Sequence, residues 1–152
     1  MIKDLRHHSQ MRFLLLALLF FMFFFIVGDI LVKSEQLGLS VNAVNTTLIG
    51  NEAEFIEPVT ASTFLEHLHA DLFFMMMLLL TLSSIFLRLA PQNSLSLWTL
   101  SLLMISSILS IIFLALGFYS STMFVAPFLL MFFTWHALAL SITLYSFWKL
   151  LV

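Results

Sequence analysis

The chain has 152 residues, of which 62% are apolar and only 9% are charged, and its mean hydropathy is +1.11. This composition excludes an ordinary soluble globular domain and indicates an integral membrane protein. Because the chain has no cysteine, a net charge of −2 and scattered basic residues, it offers no disulfide, thiolate metal site or nucleic-acid-binding surface.

The first predicted membrane span covers residues 11–32. A basic segment followed by an apolar run is also typical of a signal peptide, but apolar residues resume at Ile30 and no small-residue cleavage site follows. About 22 residues at 1.5 Å each are enough to cross a hydrocarbon layer about 30 Å thick. We therefore expect an uncleaved first span.

Residues 33–63 form the one long polar loop. Within this loop Ser40 is a suitable helix N-cap and Gly50 a suitable C-terminal residue. Three apolar residues between them have helical spacing: Val41, Val44 and Leu48. The pattern predicts a short amphipathic helix that packs on the mouth of the bundle.

Three further spans are predicted at residues 64–90, 95–117 and 122–148. The sequence Thr63-x-x-Glu66 matches a capping box at the start of the second span, and Pro91 ends it. The third span carries small residues along one face: Ser96, Thr99, Ser106, Ser110 and Gly117. The fold class is thus all-α, a four-helix membrane bundle formed by residues 1–152 as a single domain.

The basic residues predict the topology. Four spans place both termini on one side, which then holds five of the six Lys and Arg residues and leaves only Lys33 on the other side. The positive-inside rule puts the termini in the cytoplasm and the long loop outside. Most acidic residues fall at the outer end.

A cluster of ionisable residues is the candidate site. Asp29 lies 17 residues after Arg12 and Asp71 lies 17 residues before Arg88, so both carboxyl groups are expected at one height. Ionisable groups at membrane depth are costly and usually functional. The candidate residues are Asp29, Glu66, His67, Asp71 and His136.

Helix geometry divides the candidates on the second span. His67 and Asp71 are four residues apart and share a face, whereas His67 and His69 are about 200° apart, so His69 should face elsewhere. We expect the side that faces the bundle to carry Glu66, His67, Ala70, Thr81, Ser84 and Arg88. On the fourth span the corresponding stripe is His136, Ala139, Thr143 and Ser146.

Structural roles compete with the functional ones. Glu66 can be a cap instead of a ligand, Asp29 can be solvated at the interface, and Asp71 can do no more than orient His67. His136 is the hardest to explain structurally, because an inward imidazole near mid-membrane needs a partner.

Three classes of function remain open. In the first, the cluster binds a divalent metal such as zinc, iron or copper, or a haem. In the second, the protein is an accessory or assembly subunit of a larger membrane complex, or a homo-oligomer. In the third, it is a relay for protons or small solutes. No catalytic motif is present, so a non-enzymatic role is favoured, and the lipid bilayer is the one partner that composition implies.

The order of features also resembles a group of small bacterial inner-membrane proteins of uncharacterised function. The resemblance rests on the Phe-rich first span, Gly38-Leu39-Ser40, Ile56-Glu57-Pro58 and Glu66-His67-x-His69-x-Asp71. It implies a multi-pass protein of the bacterial inner membrane and assigns no functional residues.

Overall fold

The computed structural model describes residues 9–52, 55–91 and 93–152. Its helices are α1 (Ser9–Gln36), α2 (Val41–Ile49), α3 (Ala61–Leu89), α4 (Ser94–Tyr119) and α5 (Val125–Leu151), with a 3-10 turn at Thr122–Phe124. Four helices within this part of the chain are long and apolar enough to cross a membrane, as predicted. The chain is therefore a four-helix membrane bundle with one short additional helix.

The start of α1 and the end of α5 meet at one end of the bundle. Arg12 Nη2 donates a hydrogen bond to the carbonyl oxygen of Leu151 at 2.9 Å, which joins the start of α1 to the end of α5. We call this the terminal end. At the opposite end, Leu48 of α2 approaches Gly117 and Val125, and we call this the loop end.

The central helix is α5, which packs against α1, α2, α3 and α4. Small buried side chains on α4 let it lie close to α5: Ser96, Ser106, Ser107, Ser110 and Gly117. The predicted stripe on α5 is also buried: His136, Ala139, Thr143 and Ser146. These two predicted faces are confirmed, apart from Thr99, which is half-buried.

The short helix α2 matches its prediction. The Ser40 side chain accepts a hydrogen bond from the Ala43 amide at 3.2 Å, and Gly50 ends the helix with a φ of 83°. A side chain at Gly50 would be strained by that backbone conformation and would lie 2.8 Å from the Ile56 carbonyl oxygen. Val44 and Leu48 are buried in the loop-end core, whereas Val41 is 39% exposed.

Most helix boundaries differ from the predictions by one to four residues, and two of these differences bear on the site. Helix α1 continues to Gln36, so Lys33 is a helical residue and not the first residue of the loop. Helix α3 begins at Ala61, and its N-cap is Thr60, whose side chain accepts a hydrogen bond from the Thr63 amide at 3.3 Å. The predicted capping box with Glu66 was therefore wrong, because Thr63 is the third residue inside the helix and Thr60 is the N-cap.

The predicted inward face of α3 was also wrong, since Glu66, His67 and Ala70 are exposed. The buried side follows an apolar repeat instead: Phe64, Met75, Leu78, Leu82, Ile85 and Leu89. Ser84 and Arg88 are exposed. The Thr81 and Ser84 hydroxyls donate to the carbonyl oxygens four residues earlier, at 2.7 Å each. Since those bonds satisfy the hydroxyls within the helix, the two residues do not need a polar interior.

Candidate functional site

The first element of the site is a pair formed by Asp29 of α1 and His136 of α5. His136 Nε2 lies 3.0 Å from Asp29 Oδ2, and the imidazole is only 2% exposed. The other ring nitrogen, Nδ1, lies 2.8 Å from the carbonyl oxygen of Phe132. Both nitrogens of this buried ring thus have oxygen partners.

The hydrogen-bond distances assign one shared proton to the pair. A carbonyl oxygen can only accept, so Nδ1 carries a hydrogen that it donates to Phe132. If Asp29 were ionised and Nε2 bare, two acceptors would face each other at 3.0 Å. One proton between Asp29 and His136 resolves the conflict, either as imidazolium with carboxylate or as imidazole with carboxylic acid.

Aromatic side chains hold the imidazole in place. The ring centroid of Trp135 lies 3.7 Å from that of His136, and the centroid of Phe132 lies 4.1 Å away. Trp135 and Phe132 are buried, so the imidazole has little room to rotate. Its Nε2 atom is therefore aimed at Asp29 by packing as well as by hydrogen bonding.

The second element is an ion pair between α1 and α3. Lys33 Nζ lies 2.5 Å from Asp71 Oδ2, and the two side chains are 7% and 24% exposed. Sequence reasoning missed Lys33, which it used only as the exception in the charge count. The available signal was its spacing, because Lys33 lies four residues after Asp29 and so shares a helix face with it.

Two small cavities lie beside the Asp29–His136 and Lys33–Asp71 pairs. The central cavity, of about 50 Å³, is lined by polar groups from three helices, namely Asp29, Lys33, Asp71 and Ser110, and by apolar side chains. The loop-end cavity, also about 50 Å³, is lined by Lys33, Asp71, His67, Thr63, Gln36 and apolar side chains. Each has room for one or a few waters. Lys33 and Asp71 line both cavities, so their ion pair lies between the two.

The structure brings together some of the predicted site residues. Asp29 and Asp71 line one cavity, Asp29 bonds to His136, and His67 shares the loop-end cavity with Asp71. Glu66 is exposed and lines neither cavity. His69 is exposed and lines a separate apolar groove between α3 and α4, as its position opposite His67 predicts.

This arrangement does not support the predicted metal or haem site. Among the described residues, no group of three or more His, Asp or Glu side chains could hold a metal ion. The Lys33 ammonium already neutralises Asp71 and would repel a cation in the central cavity. A cavity of about 50 Å³ is also far smaller than the several hundred cubic ångströms of sites for drug-sized ligands, so it cannot enclose a haem.

The fold and the site define the chain as a multi-pass membrane protein, a four-helix bundle with paired ionisable side chains among its membrane-spanning helices. Its family follows from a comparison with known proteins. A family model described as a transmembrane helical domain matches residues 38–152, and the chain belongs to this family, Aq_1264_TM. The matched residues include Asp71 and His136. No curated protein and no solved structure is detectably similar to the chain.

Proposed function

We propose that this protein is a proton relay, in which protons enter from the loop end and are held by the Asp29–His136 pair. The observation that carries the proposal is the position of His136, with Nδ1 bound to a carbonyl oxygen and Nε2 at 3.0 Å from a carboxyl oxygen. This arrangement stores one exchangeable proton inside the membrane. Donating it to a water in the central cavity requires no movement of the helices.

The sizes of the cavities favour protons over larger solutes. A proton can travel through a few waters and carboxyl groups, whereas a cavity of about 50 Å³ admits little else. Toward the terminal end, the buried stripe of α5 continues with the hydroxyls of Thr143 and Ser146. The Ser146 hydroxyl has no hydrogen-bond partner among the described residues, which supports an occasional water there.

The basic residues set the direction of the proposed relay. With the termini in the cytoplasm of a bacterial inner membrane, the loop end faces outward, as the positive-inside rule suggests. The acidic residues of the loop would then raise the local concentration of cations, including protons, at the entrance.

Proton flux into vesicles tests the proposal. The protein is reconstituted into liposomes that contain a pH-sensitive dye, and a potassium gradient with valinomycin drives protons inward. We expect wild-type protein to acidify the vesicles faster than Asp29→Asn or His136→Gln, which should match protein-free vesicles. The control His69→Gln alters a histidine outside the site and should retain the wild-type rate.

Other outcomes would identify the competing functions. Equal flux in wild-type and protein-free vesicles would refute the relay. Stoichiometric metal or haem in the purified wild-type protein, absent from both site variants, would favour the cofactor hypothesis instead. A stable membrane partner that co-purifies with an inactive protein would favour the accessory subunit.

A further inference from the structure

We infer that the Lys33–Asp71 ion pair is a gate that separates the loop-end cavity from the central cavity and opens when Asp71 takes up a proton. The inference rests on the proposed relay and concerns its regulation. It assigns Lys33 and Asp71 a role beyond holding α1 to α3.

The position of the pair carries the argument. Lys33 and Asp71 line both cavities, with Leu114 as the third shared residue. In the proposed gate, contact between the ammonium and the carboxylate breaks the path between waters in one cavity and waters in the other. A continuous chain of waters down to Asp29 would leave the shared proton in constant exchange with the outside. The ion pair prevents this.

Lys33 also has a second carboxyl group within reach. Asp29 lies one helical turn earlier on α1 and lines the central cavity with Lys33. Rotation of the flexible lysine side chain can therefore move its ammonium from Asp71 toward Asp29 while α1 stays in place. The ammonium never has to stand alone in an apolar interior, which would be costly.

The charged groups around the pair are few. Helix α1 contributes Asp29, α3 contributes His67, and α5 contributes His136 through its bond to Asp29. The helix α4 lines the central cavity with the hydroxyl of Ser110 and apolar side chains, and α2 lines neither cavity. Movement of the Lys33 ammonium thus decides which carboxylate is neutralised.

The gating step conserves protons and charge. A proton from the loop-end cavity binds the Asp71 carboxylate, and the hydrogen bond from Lys33 Nζ breaks. The ammonium turns to Asp29, and its positive charge repels the proton that Asp29 and His136 share. The pair then releases that proton toward the terminal end. Asp71 then passes its own proton through the central waters to the vacated pair, and Lys33 returns to Asp71. One proton has entered, one has left, and the cluster regains its original charge.

Cysteine accessibility tests the gate directly, because the chain has no native cysteine. Ser110→Cys places a thiol in the central cavity, below the pair, and Thr63→Cys places one in the loop-end cavity, above it. Each protein is treated with silver ion from the loop-end side, denatured, and assayed for remaining free thiol. Thr63→Cys should react quickly in every background and serves as the matched control.

We expect Ser110→Cys to react at least tenfold more slowly than Thr63→Cys when the ion pair is intact. Adding Lys33→Gln or Asp71→Asn should remove that protection, and the exchange Lys33→Asp with Asp71→Lys should restore it. Lowering the pH should raise the rate at Ser110→Cys relative to the control. If a single substitution impairs folding, the variant with the exchanged pair still tests whether an ion pair at this position protects the thiol.

Equal rates at the two thiols with the native pair would overturn the gate, as would protection that survives loss of the pair in a folded variant. The assay needs no proton flux. Protection that depends on the pair, in a protein that carries no protons, would leave the gate standing and refute the relay. Proton flux through a protein in which the native ion pair does not protect Ser110→Cys would support the relay and refute the gate.

Discussion

Replacing Lys33 with methionine should destabilise the folded bundle, because it leaves Asp71 without its partner. The lysine is 6% exposed, and methionine has a similar length without the charge. The carboxyl group then has two options, to stay ionised in the interior or to take up a proton. Either option costs free energy that the native ion pair avoids.

The loss of unfolding free energy can be estimated for an ionised and for a protonated Asp71. Breaking a buried ion pair on one side costs about 3–5 kcal/mol. Protonating an ordinary carboxyl group at pH 7 costs about 4 kcal/mol, which limits the loss from above. Because Asp71 keeps 24% of its side chain exposed, water offsets part of the cost. We therefore expect Lys33→Met to lower the free energy of unfolding by about 2–4 kcal/mol at pH 7.

The measurement is reversible unfolding in mixed micelles, with sodium dodecyl sulfate as denaturant and circular dichroism as the signal. The loss of unfolding free energy caused by Lys33→Met should shrink by up to about 1.4 kcal/mol for each unit of pH below 7. The reason is that protonation of the unpaired Asp71 carboxyl group costs less free energy at lower pH. The double variant Lys33→Met with Asp71→Leu removes both charges and should lie within about 1 kcal/mol of wild type, or above it.

Two results would refute this reasoning. A deficit below about 1 kcal/mol for Lys33→Met would mean that the pair is solvated and contributes as little as a surface ion pair. A double variant as unstable as the single one would mean that the lysine acts through packing and not through its charge.

Two further predictions concern topology and the entrance of the relay. In cells from which any outer barrier has been removed, Glu52→Cys should react with an impermeant maleimide and Val152→Cys should react only after lysis; the reverse pattern would overturn the outward-facing loop. In the liposome assay, His67→Gln should slow proton entry because His67 lines the loop-end cavity, whereas His69→Gln should not, and equal effects would show that the loop-end cavity is not the entrance.

The sequence was informative where a physical signal repeats along the chain. Long apolar runs predicted four spans, and Ser40 with Gly50 predicted a helix that the structure places at residues Val41–Ile49. On α5 the small and polar residues fall on one side, so the inward position of His136 could also be predicted. Periodicity is enough for these cases because the helix backbone fixes which residues share a face.

The sequence was misleading where a polar or charged side chain can find its hydrogen-bond or charge partner in more than one place. Thr81 and Ser84 have polar hydroxyls, but each bonds to its own helix and can face lipid. Lys33 stands beside a polar loop, yet the half-buried carboxylate of Asp71 on α3 stabilises its charge inside the bundle. The identity of that partner depends on how α1 and α3 are placed, and one sequence does not specify this.

The two pairs also determine how α1 joins the bundle. Few apolar side chains of this helix are fully buried, and much of its Phe-rich surface is exposed and suited to lipid. In a bilayer such a surface gives no hydrophobic drive toward other helices, because lipid is as apolar as protein. The bonds from Asp29 to α5 and from Lys33 to α3, together with the bond from Arg12 to Leu151, therefore help to set the height and rotation of α1. A proton that weakens the Lys33–Asp71 bond would loosen the same helix that carries Asp29, so the proposed gate and the proton-holding pair are coupled through α1.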